Sequence, residues 1–177
     1  MSAFDKQLDI GKVGESEIAR WLMSRGSHVL PVYEVEKGQM AGPAVYAATG
    51  EKIIAPDILA FNSDGIVWVE AKHKTAFTWH RNTQKFTTGI DAHHFNEYKR
   101  IAGLVDWPVW LLFLHKGGQA KDSPVSPAGL FGNDLKYLAE NINHTHENWG
   151  RSGMVYWAKD KLIKLSDYPI NTNRAAA

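Results

Sequence analysis

The run Ala55-Pro56-Asp57-Ile58-Leu59-Ala60-Phe61, Asn62-Ser63-Asp64-Gly65, Ile66-Val67-Trp68-Val69-Glu70-Ala71-Lys72 decides how this chain is read. Two apolar segments rich in β-branched residues, joined by Asn, Ser, Asp and Gly, predict a β-hairpin. Side chains alternate along a strand, so Trp68, Glu70 and Lys72 share one face and Val67, Val69 and Ala71 the other. Asp57 and Glu70 then stand on adjoining strands with an ammonium beside them. Two carboxylates and a lysine in that arrangement suit a hard divalent cation and the water it activates. Read alone, Glu-x-Lys is also an ordinary solvated strand end, so the neighbouring segments must decide.

Upstream, about Asp9 to Arg25 reads as a helix, with Asp9 as N-cap, Gly26 as its stop, and Ile10, Val13, Ile18, Trp21 and Leu22 as its apolar side. His28 to Val35 reads as a strand whose Pro31 argues for an edge or a bulge. Lys37 to Lys52, rich in Gly and Ala, reads as a loop or weak hairpin. Downstream, Thr75 to Thr88 is polar with interleaved aromatics and fits an extended hairpin or a loop. A helix is expected over Asp91 to Leu104. Trp107 to His115 is a continuous apolar run of strand length, hence a buried central strand. Lys116 to Pro127 is a loop, Leu130 to Asn143 contains a helix with Leu135, Leu138 and Ile142 on one side, and Met154–Trp157 with Leu162–Leu165 read as a terminal hairpin. The Ala175-Ala176-Ala177 tail reads as disordered.

The chain has 177 residues, which suits one domain, with a core over about 9–115 and an extension over about 116–170. No apolar run is long enough to span a bilayer, and the N-terminus lacks the pattern of a signal peptide. The absence of cysteine excludes disulfides, thiolate zinc sites and cysteine nucleophiles and fits a cytoplasmic location. A net charge of +1 says little about partners, but its distribution says more. Lys72, Lys74, Arg81, Lys85, Lys99 and Arg100 face only Asp91 and Glu97 in one segment, with His73, His80, His93 and His94 among them. A basic segment directly after the carboxylates is where a phosphate backbone is expected, although the same clustering fits a solvated surface.

Pro56-Asp57 followed by Glu70-Ala71-Lys72 resembles the PD-(D/E)xK nuclease superfamily. The order helix, three strands, helix, strand resembles its restriction-endonuclease-like αβββαβ core, an α/β fold with a mixed central sheet flanked by helices. The resemblance covers about the first two thirds of the chain. It implies that Asp57 and Glu70 bind Mg2+ (or Mn2+), with the Ala71 carbonyl as a further ligand. It also implies that Lys72 orients or helps deprotonate the attacking water, and beside a dication its pKa is expected to fall. The Gly11 to Leu22 helix is similar to that of Holliday-junction-resolvase-like members, in which an acid precedes the apolar run. Glu15 matches that acid, with Ile18, Ala19 and Leu22 three, four and seven positions on, and it is preferred over Glu17. His94 and Tyr98, four apart on a helix, resemble the Gln-x-x-x-Tyr helix of some superfamily exonucleases with His in place of Gln; Tyr98 equally fits a core position.

The function implied is a metal-dependent deoxyribonuclease, an endonuclease rather than an exonuclease, acting on DNA and plausible as a homodimer. The alternative is a DNA-binding or structural module that keeps the fold without catalysis. The expected catalytic set is Glu15, Asp57, Glu70 and Lys72. The expected DNA contacts are Lys74, Trp79, His80, Arg81, Lys85, His94 and Tyr98, against the bland reading that the hairpin buries its own aromatics. His144 and His146 share a strand face but have no third ligand of matching type nearby and are not taken as a metal site.

Overall fold

The structure is a computed structural model. It describes residues 3–32, 34–36, 39–41, 43–119, 123–150 and 152–171, with side chains throughout except over 3–13, 34–36 and 39–41. The Ala175–Ala177 tail, and the side chains of Asp9, Ile10 and Val13, lie outside what is described. In chain order the elements are α1 (Ala3–Ser24), β1 (His28–Pro31), β2 (Glu34–Glu36), β3 (Gln39–Ala41), β4 (Ala44–Tyr46), β5 (Lys52–Ile54), β6 (Ile58–Asn62) and β7 (Gly65–Lys74). There follow β8 (Thr78–His80), β9 (Lys85–Asp91), α2 (Ala92–Leu104), β10 (Val109–His115), β11 (Gly129–Asp134), α3 (Leu135–Glu140), β12 (His144–His146), β13 (Met154–Ala158) and β14 (Ile163–Ser166).

The main sheet is mixed and six-stranded, in the order β1-β6-β7-β10-β11-β14. Strands β6 and β7 form the expected antiparallel hairpin, with Asn62 opposite Gly65 across a tight turn that the Asn62 side chain closes by accepting from Asp64 N–H. Strand β10 runs parallel to β7, with Leu111 opposite Glu70 and Phe113 opposite Lys72. A parallel partner must be reached by a crossover, and α2 supplies it. The apolar run of β10 is buried because both faces of the sheet are covered there. Leu111 and Phe113 pack into the core under α2, and Leu112 and Leu114 into the core under α1.

Helix α1 starts earlier than expected, so Asp9 lies inside it and is no N-cap. It stops where expected, at Gly26 with φ +88°, where Ser27 N–H reaches the Leu22 carbonyl and Gly26 N–H the Met23 carbonyl. Ile18 and Leu22 carry it onto Val69 and Ala71. Gly14 permits the closest approach, because a Cβ there would lie 2.3 Å from the Cβ of His73. Pro31 sits on the edge strand, as its missing N–H requires. Helix α2 begins where expected, and Asp91 proves to be its N-cap, with a carboxylate that accepts from His93 N–H.

Several expectations need correction. Between Glu34 and Ile54, where a strand to Val35 and then a loop or weak hairpin were expected, the chain forms two short hairpins, β2–β3 and β4–β5, each a separate two-stranded sheet. The segment from Leu130 contains strand β11 before its helix, and that helix ends at Glu140, leaving Ile142 outside it and exposed. The terminal hairpin is not formed. Strand β13 belongs to a second, four-stranded sheet in the order β12-β13-β9-β8, whereas β14 pairs with β11 at the edge of the main one. Lys159–Lys161 is a single 3-10 turn that carries the chain from one sheet to the other. No described helix is long and apolar enough to cross a membrane.

Candidate metal and phosphate site

Asp57 lies just before β6, and its Oδ2 accepts a hydrogen bond of 3.1 Å from Ala71 N–H on the neighbouring strand. That bond draws Asp57 to the middle of β7, between Glu70 and Lys72. Glu70 is 0% exposed, forms an ion pair with Lys72, and lies against Asp57 and the Tyr98 hydroxyl. A carboxylate buried this deeply beside a second acid is costly even with an ammonium next to it. The cost appears on its neighbour. Burial, and then the Glu70 charge, push the Asp57 carboxyl up to about 7, with Lys72 and the Ala71 N–H opposing. Burial works against the Lys72 ammonium, but Glu70 and then Asp57 together outweigh it, so its pKa stands above that of a free lysine. The fall expected beside a dication is therefore not what the carboxylates alone produce.

These groups open onto one cleft of about 400 Å3, lined by Pro43, Lys52, Ile54, Ala55, Asp57, Lys72, His94 and Tyr98. Three elements build it: β7 as the floor, the first two turns of α2 on one side and the β4–β5 hairpin on another. His94 and Tyr98 share a face of α2, with ring centroids 6.0 Å apart. Tyr98 is both a core residue and a lining residue. It is 2% exposed, and burial followed by the Glu70 charge holds its hydroxyl well above the usual tyrosine value. Burial, and then the nearby Lys72, lower the His94 pKa and favour its neutral ring.

Glu15 is half-buried on α1, next to the Gly14 contact with β7, and its charge acts on Lys72 after those of Glu70 and Asp57. Lys74 continues the Lys72 side of β7, and burial followed by the Lys72 charge lowers its pKa. The remaining residues expected to contact DNA stand elsewhere. Trp79, His80, Arg81 and Lys85 belong to the β8–β9 hairpin of the second sheet and are not among the residues lining the cleft. Trp79, half-buried, packs edge-on against Phe86 across the hairpin at 5.0 Å. His80 bonds Thr83 and stacks on His144 at 3.9 Å, and His144 in turn stacks on Tyr156. Lys85 pairs with Asp160 at 2.7 Å, and Arg81 is exposed in the turn.

Sequence reasoning missed Lys52 and Glu97. Lys52 lines the cleft from a segment read as a loop or weak hairpin, and no motif marks it. Glu97, 8% exposed on α2, accepts from the Ile54 backbone N–H at 3.1 Å and from Arg100 at 3.1 Å. Its carboxyl is held low because those two donors outweigh its burial.

Among the described residues, no three His, Asp or Glu side chains gather closely enough to hold a metal by themselves. The Asp57–Glu70 pair nonetheless fits a hard divalent cation: oxygen donors only, buried side by side, and two carboxylates that raise each other's cost until more positive charge joins them.

No protein-family model matches the chain, and no curated protein matches it. Among solved structures it is similar to the Holliday junction resolvase Hjc of Archaeoglobus fulgidus, at 11% identity and a TM-score of 0.53, over 88% of this chain and 91% of that one. At that identity the likeness is one of fold alone.

Proposed function

We propose that this chain is a metal-dependent deoxyribonuclease, an endonuclease that hydrolyses DNA phosphodiester bonds. The observation that carries the reading is the Glu70 carboxylate, fully buried against Asp57 and Lys72, both of which line the cleft. Two acids buried against each other, with Asp57 pushed up to about 7, suit a bound cation better than a structural role. Asp57 and Glu70, with the Ala71 carbonyl, would hold Mg2+ or Mn2+, and Glu15 would add negative charge from α1. The bound ion supplies Lewis acidity and a water of lowered pKa. Lys72, which lines the cleft, would hold a water and a phosphate oxygen by charge. His94 and Tyr98 shape the wall that receives the sugar-phosphate chain. The likeness in fold to a junction resolvase places branched DNA among the substrates to try first.

The test is cleavage of radiolabelled four-way junction, duplex, flap and single-stranded DNA with Mg2+, with Mn2+ and in EDTA, comparing wild type with Glu70→Ala. Cleavage by wild type alone, lost in EDTA, supports the reading and gives the substrate class. Equal activity in Glu70→Ala places the chemistry elsewhere. DNA binding that is indifferent to metal, with no cleavage of any substrate, favours a binding module on the same fold.

A further inference from the structure

We infer that the β4–β5 hairpin is a phosphate-holding arm of the cleft, in which Lys52 takes a phosphate next to the one that is cleaved. The inference rests on the nuclease reading and adds to it a wall of the site that no motif marks. The alternation of β5 carries it first. Ile53 is 1% exposed and packs in the core beneath α2 with Tyr98 and Ile101, so Lys52 and Ile54 project from the other side of the strand, and both line the cleft with Asp57 and Lys72. Tyr46 stands opposite Lys52 in the register of the hairpin and is exposed, which sets an aromatic ring on the same side as the cation. A cation beside an aromatic is a pairing suited to a phosphate and the nucleoside attached to it.

The second support is how firmly a two-stranded hairpin outside both larger sheets is held. Glu97 on α2 accepts the Ile54 N–H with one oxygen and Arg100 with the other, and Arg100 reaches on to Glu51 at 2.8 Å. This chain of charges ties the tip-side end of β5 to the helix that carries His94 and Tyr98. The turn itself is tight, with Ala47 N–H on the Glu51 carbonyl and Gly50 N–H on the Ala47 carbonyl. Lys52 is thereby fixed between a clamped residue on each side, as a preorganised contact requires. Charge points the same way. Once Asp57 and Glu70 share a divalent cation, Lys72 and Lys52 leave the cleft net positive, complementary to more than one phosphate.

The experiment measures DNA affinity by fluorescence anisotropy in EDTA across a range of salt concentrations, for wild type, Lys52→Gln, Lys52→Arg and Glu97→Gln, alongside cleavage kinetics in Mg2+. For Lys52→Gln the expected result is a Kd raised about fivefold to tenfold and a plot of log K against log salt shallower by about one. The loss in cleavage should appear in KM more than in kcat, and Lys52→Arg should restore the slope. Glu97→Gln should speed hydrogen exchange at the Ile54 amide and weaken DNA binding in step, a coupling that loss of fold alone would not give. An unchanged salt slope in Lys52→Gln overturns the arm while leaving cleavage by wild type intact. If no metal supports cleavage, the nuclease reading fails, yet a shallower slope would still establish Lys52 as a phosphate contact. A wild-type chain that binds no DNA overturns both.

Discussion

Two buried glutamates behind the residues that line the cleft meet opposite treatment. Glu97 on α2 is satisfied by a backbone N–H and a guanidinium, and its carboxyl is held below the usual range. Glu70 on β7 is more deeply buried, is set against Lys72, Asp57 and Tyr98, and helps push the neighbouring Asp57 up to about 7. An acid whose partners are a backbone amide and a guanidinium is architecture, since its hydrogen bonds go into fixing the hairpin. An acid buried against a second acid is a site, because the pair becomes fully favourable only when a cation arrives.

The sharpest break of that comparison is to truncate each acid in turn. Glu70→Ala should lower the rate of cleavage by about a thousandfold, the order expected when one preorganised charge is removed from a reacting centre. In the absence of metal the same variant should melt no lower than wild type, because Lys72 keeps Asp57 as its partner and Asp57 loses a like-charged neighbour. A thermal melt in EDTA checks this, and a fall of several degrees would mean that Glu70 is structural after all. Mn2+ should raise the melting temperature of wild type but not of Glu70→Ala, by the linkage of ligand binding to folding.

Glu97→Ala should do the reverse. It leaves the Ile54 N–H buried without an acceptor and releases Arg100, so stability should fall by about 2 kcal/mol in a denaturant titration. Cleavage should persist with weakened DNA binding, as the hairpin loosens. If Glu97→Ala removes activity as completely as Glu70→Ala, the distinction between an architectural and a functional acid collapses.

The sequence showed one of these acids and hid the other for a physical reason. Glu70 is legible because its partners are local: the turn at Asn62–Gly65 and the alternation of β7 bring it to Asp57 and Lys72 within one hairpin. The central position of β10 was legible too, since a strand covered on both faces must be apolar throughout. Glu97 meets Ile54 across 43 residues, and nothing in a helix's own pattern announces a hydrogen bond to a distant backbone amide. The same limit governs the C-terminal third. Strands β13 and β14 have the composition of a hairpin, and only the 3-10 turn between them sends one to each sheet. Leu135 and Leu138 gave a true helical spacing that extended backwards over β11, where Gly132 admits a close approach to Leu112 that no periodicity records. Trp79 and His80 were grouped by proximity in sequence, yet neighbours in a strand face opposite ways, and Trp79 turned inward to Phe86.

A third buried polar side chain shows another way to meet the same cost, and it gives the smallest predicted effect. His115 ends β10 opposite Lys74, is 0% exposed, and stacks on Phe77 at 3.6 Å, with a hydrogen bond to the Ala76 backbone that does not offset its burial. It is neither held charged by strong donors, as Glu97 is, nor paired with an opposite charge, as Glu70 is; it stays neutral. Burial first, then the Lys74 charge, lower its pKa to about 3, against about 6.5 for a free histidine. The folded state therefore refuses a proton that the unfolded chain accepts, so stability is complete above about pH 6.5 and falls as pH drops toward 3. Within that window the contribution of this one group approaches about 1.4 kcal/mol per pH unit. His115→Phe, which keeps a ring against Phe77, should flatten that part of the acid limb in urea titrations run from pH 7 to pH 4.5. An unchanged limb would mean that His115 is protonated in the fold and has found a partner, which would return it to the company of Glu97.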